Sequence, residues 1–270
     1  KTSKIRDLNA RKGDYGKVLC IGGSEDYVGA PYLAANSAIG SLRSGTDIVT
    51  IAAPEKVAYA INALNPDIIS KKFNCTYFTQ DQSEQILKLS ELYDCILIGP
   101  GIGQNKKTTL FVNDIVKNIN KPLVIDADAI KCIKVQDISN AIITPHKKEL
   151  EIMLKNSNIS INNYKGLHRH LKTNVLLIKG NIDAIISSEK IKYNKTGNPG
   201  MTIGGTGDIL SGIVAGFLAQ RILPFDSASA SAYLCGYIGD KLQKRNSYNF
   251  IASDFLDEIG PAIVEILKKS

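Results

Sequence analysis

The sequence predicts an α/β fold, a doubly wound and mainly parallel sheet flanked by helices, with a small antiparallel patch near residues 183–194. Three observations lead there. Short apolar runs such as Lys17–Ile21, Cys95–Ile98 and Val175–Ile178 each end in glycine, proline or a charged residue, as buried parallel strands do on opening into a loop. Segments of helical period separate these runs, the alternation that builds βα units. The runs at 183–187 and 191–193 are short and closely spaced, which reads as a hairpin departing from that rhythm.

The first strand, Lys17–Ile21, opens into Gly22, Gly23 and Ser24. After Gly29, Ala30 and Pro31, a small-residue helix is expected, with Leu33, Ala34, Ser37, Ala38, Ser41 and Leu42 on one face and Gly45 as its stop. A strand at 47–52 leads through Pro54 to a helix carrying Val57, Ala58 and Ile61, and a further β-α step fills 67–93. Cys95–Ile98 runs into the turn Gly99, Pro100, Gly101, Ile102 and Gly103, equally explained as a ligand loop or as a tight connection to the next helix. Leu123–Ile125 ends at Asp126, Ala127 and Asp128, and the strand at 142–143 ends at Thr144, Pro145 and His146. Polar groups at successive strand exits suggest one shared crevice, although Asp128 alone reads as an N-cap for a helix through Ile130 and Ile133, and His146 alone as a loop histidine. Three helical patterns, at 207–220, 227–244 and 252–268, close the chain.

The most informative stretch is 196–220, TGNPGMTIGGTGDILSGIVAGFLAQ. Gly197, Gly200, Gly204, Gly205 and Gly207 precede an apolar stripe of Ile209, Leu210, Ile213, Val214, Phe217 and Leu218. A glycine loop feeding a helix start directs free N–H groups outward with the positive end of the helix dipole behind them, a receptor for phosphate or a developing oxyanion. Asp208 in the first turn could merely cap the helix, but a cap needs no such concentration of glycine, so a site aspartate is the preferred reading.

Composition narrows the class. The chain has 270 residues, 44% hydrophobic and 22% charged, which suits an ordinary globule folding as one domain over 1–270. No apolar run approaches the roughly 18 residues of a membrane helix. The basic N-terminal stretch lacks the apolar segment of a secretory signal, so a cytoplasmic location is expected. Cys20, Cys75, Cys95, Cys132 and Cys235 lack any CxxC spacing, and neither a disulfide nor a zinc site is expected. The net charge of +7 comes from scattered residues, so a solvated surface attracting anionic nucleotides is read rather than nucleic-acid binding.

With these residues in view, the chain resembles the ribokinase-like superfamily and, within it, the nucleotide-dependent NAD(P)H-hydrate dehydratases. The matching blocks are GDYGKVLCIGGSEDYVGAPYLAANSAI from Gly13, GPGIG from Gly99, VIDADAI from Val124, TPH from Thr144, LLIKG from Leu176 and NPGMTIGGTGD from Asn198. The glycine-aspartate block is shared with sugar and vitamin kinases, whereas NPGM ahead of it, joined to GAPYLAA and TPH, is similar to the dehydratases in particular. The resemblance implies repair of hydrated NADH or NADPH: ADP or ATP, with ADP favoured, phosphorylates the ring hydroxyl and phosphate then leaves. It implies Asp208 as catalytic base, with Ala30, Gly103, His146 and Asp208 on the hydrated dinucleotide. Lys179, Gly180, Asn181, Ile182, Asp183, Gly205, Thr206 and Gly207 would hold the nucleotide. Mg2+ bridging the phosphates is expected from the chemistry, with no protein residue singled out as its ligand. A homo-oligomer is also implied, a tetramer in relatives.

The sequence departs from that pattern in places. Lys147, Lys148 and Glu149 follow TPH where the family places proline, glycine and glutamate, which implies a stiffer, more basic loop. Cys235 stands where the family has histidine, ahead of Gly236, Gly239 and Asp240, and reads as packing. The N-terminal epimerase domain of many relatives is not expected within 1–270. Two other readings stay open: a superfamily kinase that releases a stable phosphorylated vitamin precursor, and a catalytically idle nucleotide binder.

Overall fold

The computed structural model describes residues 9, 11–40, 46–160 and 164–269. Its centre is a 9-stranded sheet in the order β3-β2-β1-β4-β5-β6-β7-β8-β9. The strands are β1 (Lys17–Ile21), β2 (Ile48–Pro54), β3 (Ile69–Phe73), β4 (Cys95–Ile98), β5 (Leu123–Ile125), β6 (Ala141–Ile143), β7 (Val175–Ile178), β8 (Asp183–Ile186) and β9 (Ile191–Asn194). Pairing is parallel from β3 through β7 and antiparallel from β7 to β9, as the sequence suggested.

Both faces of the sheet are covered, which explains why its strands are continuous apolar runs rather than alternating ones. Val18 and Cys20 of β1 point into one core, and Leu19 and Ile21 into the other. The first core is closed by α1 (Gly29–Gly40) and α2 (Glu55–Leu64), together with α7 (Thr206–Ala219), α8 (Pro224–Asn246) and α9 (Asp254–Lys269). The second is closed by α3 (Ser83–Ser90), α4 (Lys106–Asn118), α5 (Lys147–Asn156) and α6 (His168–Leu171). Strand order reverses between β1 and β4, and α/β sheets bind ligands in the crevice beyond the strand ends at such a point.

Several expectations change. Ser41, Leu42 and the helix stop at Gly45 lie outside the described residues. Asp128 caps no α-helix: Ala127–Cys132 is a 3-10 turn, and the Asp128 carboxylate accepts from the Gly103 amide at 3.2 Å and the Gln104 amide group at 2.8 Å. Nor does a loop follow TPH, because Lys147 begins α5. Finally, α7 has more than an apolar stripe, being buried on every side from Ile209 to Ala219. Gly212 makes this possible, since a Cβ there would collide with the Ala34 carbonyl and the Ser37 hydroxyl of α1. Two helix backbones thus approach closely, which sets the start of α7 against the strand ends.

Candidate active site

A cavity of about 640 Å³ opens beside the start of α7, within the size range of small-ligand sites. Of the residues expected at a nucleotide or substrate, His146, Lys179, Gly180, Asn181, Asp183, Thr206 and Gly207 line it. Its apolar wall is built by Met201, Leu210, Ala232 and Cys235. Cys235, expected to be a packing residue, is 3% exposed, yet it also forms this wall. A similarly large groove of about 630 Å³ between α3 and α4, lined by Glu84, Glu91 and Asp114, lies away from the strand ends.

The glycine loop is held from below. Asp240 of α8 accepts from the Gly197 amide at 3.1 Å and the Asn198 side chain at 3.2 Å. Gly205 takes the left-handed conformation at φ 99° as the residue before α7. The Thr206 hydroxyl donates back to the Met201 carbonyl at 2.9 Å and the Ile203 carbonyl at 3.0 Å. The first amides of α7 have no acceptor within their own helix and face outward.

Lys179 leaves β7 and turns its ammonium toward that helix start. Its Nζ lies 2.9 Å from Asp126 Oδ1 and 3.9 Å from Glu149 Oε2, and a Cβ built on Gly207 would stand 3.2 Å from it. Asp126, 1% exposed, also accepts from the Thr144 hydroxyl at 2.7 Å. Burial pulls the lysine pKa down, but Asp126 and Glu149 outweigh it and the pKa is raised. Burial, only partly offset by Lys179, likewise raises Glu149.

Asp208 is half-buried and does not line the cavity. Burial raises its pKa to about 8, helped by the negative charges of Asp126, Glu149 and Asp128 and opposed by Lys179. In turn, Asp208 adds to the effect of burial in raising the Cys20 thiol on β1. Its carboxyl thus feels the charges of Asp126 and Asp128 beyond the end of β5 and acts on Cys20 of β1.

The crevice at the strand-order reversal carries the rest of the expected substrate residues. Ser24 donates to the Gly101 carbonyl at 2.8 Å, and Gly103 hangs on Asp128. Ala30 is in the first turn of α1. Neither Ala30 nor Gly103 is on the cavity wall. Gly205 and Ile182 are not on it either: Gly205 backs onto Leu33 and Ala252, and Ile182 is 48% exposed.

His146 differs from its expected place in a loop. It caps α5, its Nδ1 accepting from the Glu149 amide at 3.3 Å while the Glu149 carboxylate accepts from the His146 amide at 2.9 Å. With Nδ1 occupied, the neutral ring carries its proton on Nε2, 3.4 Å from Glu149 Oε1. A ring so held presents an N–H donor at Nε2. Sequence reasoning missed the partnership of Asp126 and Glu149 with Lys179. Asp126 stood out only as a polar residue at a strand exit, and Glu149 only as the family's glutamate after TPH.

Comparison with known proteins comes to the same place. The family model described as NAD(P)H-hydrate dehydratase matches residues 18–261. A bifunctional NAD(P)H-hydrate repair enzyme of Methanothermobacter thermautotrophicus is 37% identical, the match covering 96% of this chain and 52% of that protein. The chain thus spans about half the length of the curated relatives it matches first. An ADP-dependent (S)-NAD(P)H-hydrate dehydratase of Cenarchaeum symbiosum is 32% identical over 96% of this chain and 92% of its own. Among solved structures, the ADP/ATP-dependent NAD(P)H-hydrate dehydratase of Bacillus subtilis, co-crystallised with ATP and Mg2+, superposes with a TM-score of 0.78 at 27% identity, covering 97% and 93% of the two chains. The ribokinase-like architecture expected from the sequence is shared.

Proposed function

The chain belongs to the NAD(P)H-hydrate dehydratase family, and from that premise we propose that it restores NADH and NADPH from their hydrates in a nucleotide-dependent dehydration, with ADP as the phosphoryl donor. One observation carries the proposal: a carboxyl group, Asp208, stands in the first turn of a glycine-fed helix, next in the chain to Gly207 of a nucleotide-sized cavity, with its pKa raised to about 8. A plain phosphate receptor gains nothing from a carboxylate there. A general base titrating near neutrality does.

The nucleotide occupies the cavity beside Lys179, Gly180, Asn181, Asp183, Thr206 and Gly207. The hydrated ring enters from the crevice of Ala30 and Gly103, with His146 at the boundary donating from Nε2. Asp208 takes the proton of the ring hydroxyl as its oxygen attacks the terminal phosphorus of ADP. The bond from that phosphorus to the bridging oxygen breaks, and AMP leaves. The α7 amides and Lys179 face the charge that develops on the phosphoryl oxygens. In the second stage the C6–O bond breaks, phosphate departs with the bonding electrons and the original hydroxyl oxygen, and loss of a ring proton restores the double bond. Hydroxide is a poor leaving group and a phosphate ester a good one, which is why a kinase-like site serves a dehydration.

Magnesium fits this site. Asp126 and Glu149 set two carboxylates against the single Lys179 ammonium, yet the described His, Cys, Asp and Glu residues form no ready-made cage. An ion held mainly by phosphates and waters needs only such a hard-oxygen neighbourhood, and Glu149 would hold it through water. When bound, it supplies charge neutralisation along the phosphates.

One sheet running through the described residues supports reading 1–270 as a single catalytic domain. No helix among the described residues is long and apolar enough to cross a membrane. Family resemblance supports a cytoplasmic homotetramer, which light scattering on the purified protein checks for its assembly. The decisive assay incubates the protein with hydrated NADH and either ADP or ATP while following reduced-cofactor absorbance and free phosphate. Recovery of both, faster with ADP, is the expected result. A stable phosphorylated product would make the protein a kinase, and binding without turnover an idle nucleotide binder.

A further inference from the structure

We infer that Asp126 is a positioning residue that fixes the Lys179 ammonium against the bare face of Gly207, where the transferring phosphoryl is received. This inference rests on the function proposed above. Three segments distant in sequence meet at this point: the exit of β5 with Asp126, the exit of β7 with Lys179, and the first turn of α7 with Gly207. Lys179 Nζ is 2.9 Å from Asp126 Oδ1, and a Cβ on Gly207 would come within 3.2 Å of Nζ. Even an alanine at 207 would make the ammonium give way by a few tenths of an ångström.

A lysine at a cavity edge normally samples many rotamers, and holding it still requires an anchor. Asp126 is suited to that role. It is 1% exposed, so its own placement is fixed, and the Thr144 hydroxyl at 2.7 Å fixes the oxygen that holds the lysine. A buried carboxylate is costly unless paired, which makes the partnership mutual.

Charge balance then separates two kinds of lysine. An unengaged ammonium would strengthen ground-state binding of the nucleotide. This one is engaged by Asp126, with Glu149 3.9 Å away and Asp208 acting on it from α7. Its charge is largely answered before any nucleotide arrives, so it adds little to resting affinity. Its value is a fixed place beside the phosphoryl as charge shifts during transfer, and preorganised groups of this kind are worth about 10² to 10³ in rate.

The test compares wild type, Asp126→Asn, Lys179→Met, the double variant and Thr144→Val, at fixed Mg2+. Two readouts are needed: single-turnover dehydration of hydrated NADH with ADP, and ADP affinity by calorimetry. Asp126→Asn keeps an acceptor for Thr144 but loses the charge. Its turnover should fall about a hundredfold while ADP affinity tightens, because the lysine is freed. Combining it with Lys179→Met should be no worse than Lys179→Met alone, since Asp126 acts through that lysine. Thr144→Val loosens the oxygen that holds the lysine and should lower turnover several-fold, less than Asp126→Asn does. Parallel loss of turnover and affinity in Asp126→Asn, or additive losses in the double variant, would overturn the inference and leave Asp126 a structural residue. If Asp126→Asn alone does not fold, the double variant, which buries no unpaired charge, is read against Lys179→Met. Should wild type not dehydrate the hydrate at all, the reaction reading fails. The calorimetric cycle still decides the inference, because Asp126→Asn must change ADP affinity only when Lys179 is present.

Discussion

The turn after β4 and the turn before α7 are both rich in glycine, but a side chain added to each would meet different surroundings. At Gly99, with φ 126°, a Cβ would collide with the Asp126 carbonyl oxygen, and at Gly101, with φ 63°, it would stand 2.8 Å from the Tyr27 Cβ. Protein atoms and backbone conformation explain those glycines completely. A Cβ on Gly204 has nothing within 4 Å, and Gly204 has no left-handed φ to protect. Gly180, across the cavity, is similar, its nearest neighbour the Ile182 carbonyl at an ordinary 3.4 Å. Gly205 shows that the second stretch is mixed, since at φ 99° its Cβ would press on Leu33 at 2.6 Å and Ala252 at 2.8 Å. Gly99 and Gly101 are glycines that fit the protein against itself, whereas Gly103 of the same turn, with only Ser24 near at 3.8 Å, and Gly204 and Gly180 of the second region leave backbone uncovered.

Substitution at matched positions gives the sharpest contrast. Gly99→Ala combines a left-handed φ with a backbone collision and should cost about 3 kcal/mol or more, seen as a large drop in denaturation midpoint or loss of folded protein. Gly204→Ala should leave that midpoint within about 0.5 kcal/mol, and calorimetry should show ADP binding weakened about tenfold. Equal stability losses at both sites would erase the distinction.

Asp208 closes the second stretch and asks the same question of a side chain. Asparagine keeps its shape and capping capacity but cannot accept a proton. Turnover of the hydrate should therefore fall at least about a hundredfold, roughly 3 kcal/mol, with ADP affinity level below about pH 8, where the native carboxyl holds its proton, and slightly tighter above it as charge repulsion is removed. Near-normal turnover with matched circular dichroism would reduce Asp208 to a helix cap.

His146 serves fold and ligand at once, so two variants are needed. His146→Ala removes the cap of α5 and the ring, and should lose about 1 kcal/mol of stability. His146→Asn keeps a capping acceptor and should recover most of that loss. In both, the Michaelis constant for the hydrate should rise several-fold with turnover little changed, as when uniform binding is lost. A turnover collapse in the asparagine variant would assign the ring a chemical role.

The smallest effect is a pH dependence of stability. The Asp208 pKa is raised on folding to about 8, so between its ordinary range and that value the native state holds a proton that the unfolded chain releases. Stability from this group is then greatest at acid pH and falls as pH rises through about 8. Asp208→Asn cannot ionise, and should melt a few degrees above wild type at pH 9 but nearly level with it at pH 5. A difference independent of pH would mean that the carboxyl is not under strain from its surroundings.

The amino-acid sequence by itself determined the βα alternation apart from the helix after TPH, the antiparallel turn at the end of the sheet, the strand-exit clustering and the glycine-fed helix that carries Asp208. These follow from apolar period and glycine placement, which act between near neighbours in the chain. Tertiary structure alone decided that Lys179 is anchored by Asp126, 53 residues away, and that Asp208 is buried among the charges of Asp126, Glu149 and Asp128. It also decided which glycines touch protein and which are bare. Pairing, burial and collision depend on groups that only the sheet order and the close α1–α7 packing bring together, and no local pattern encodes them.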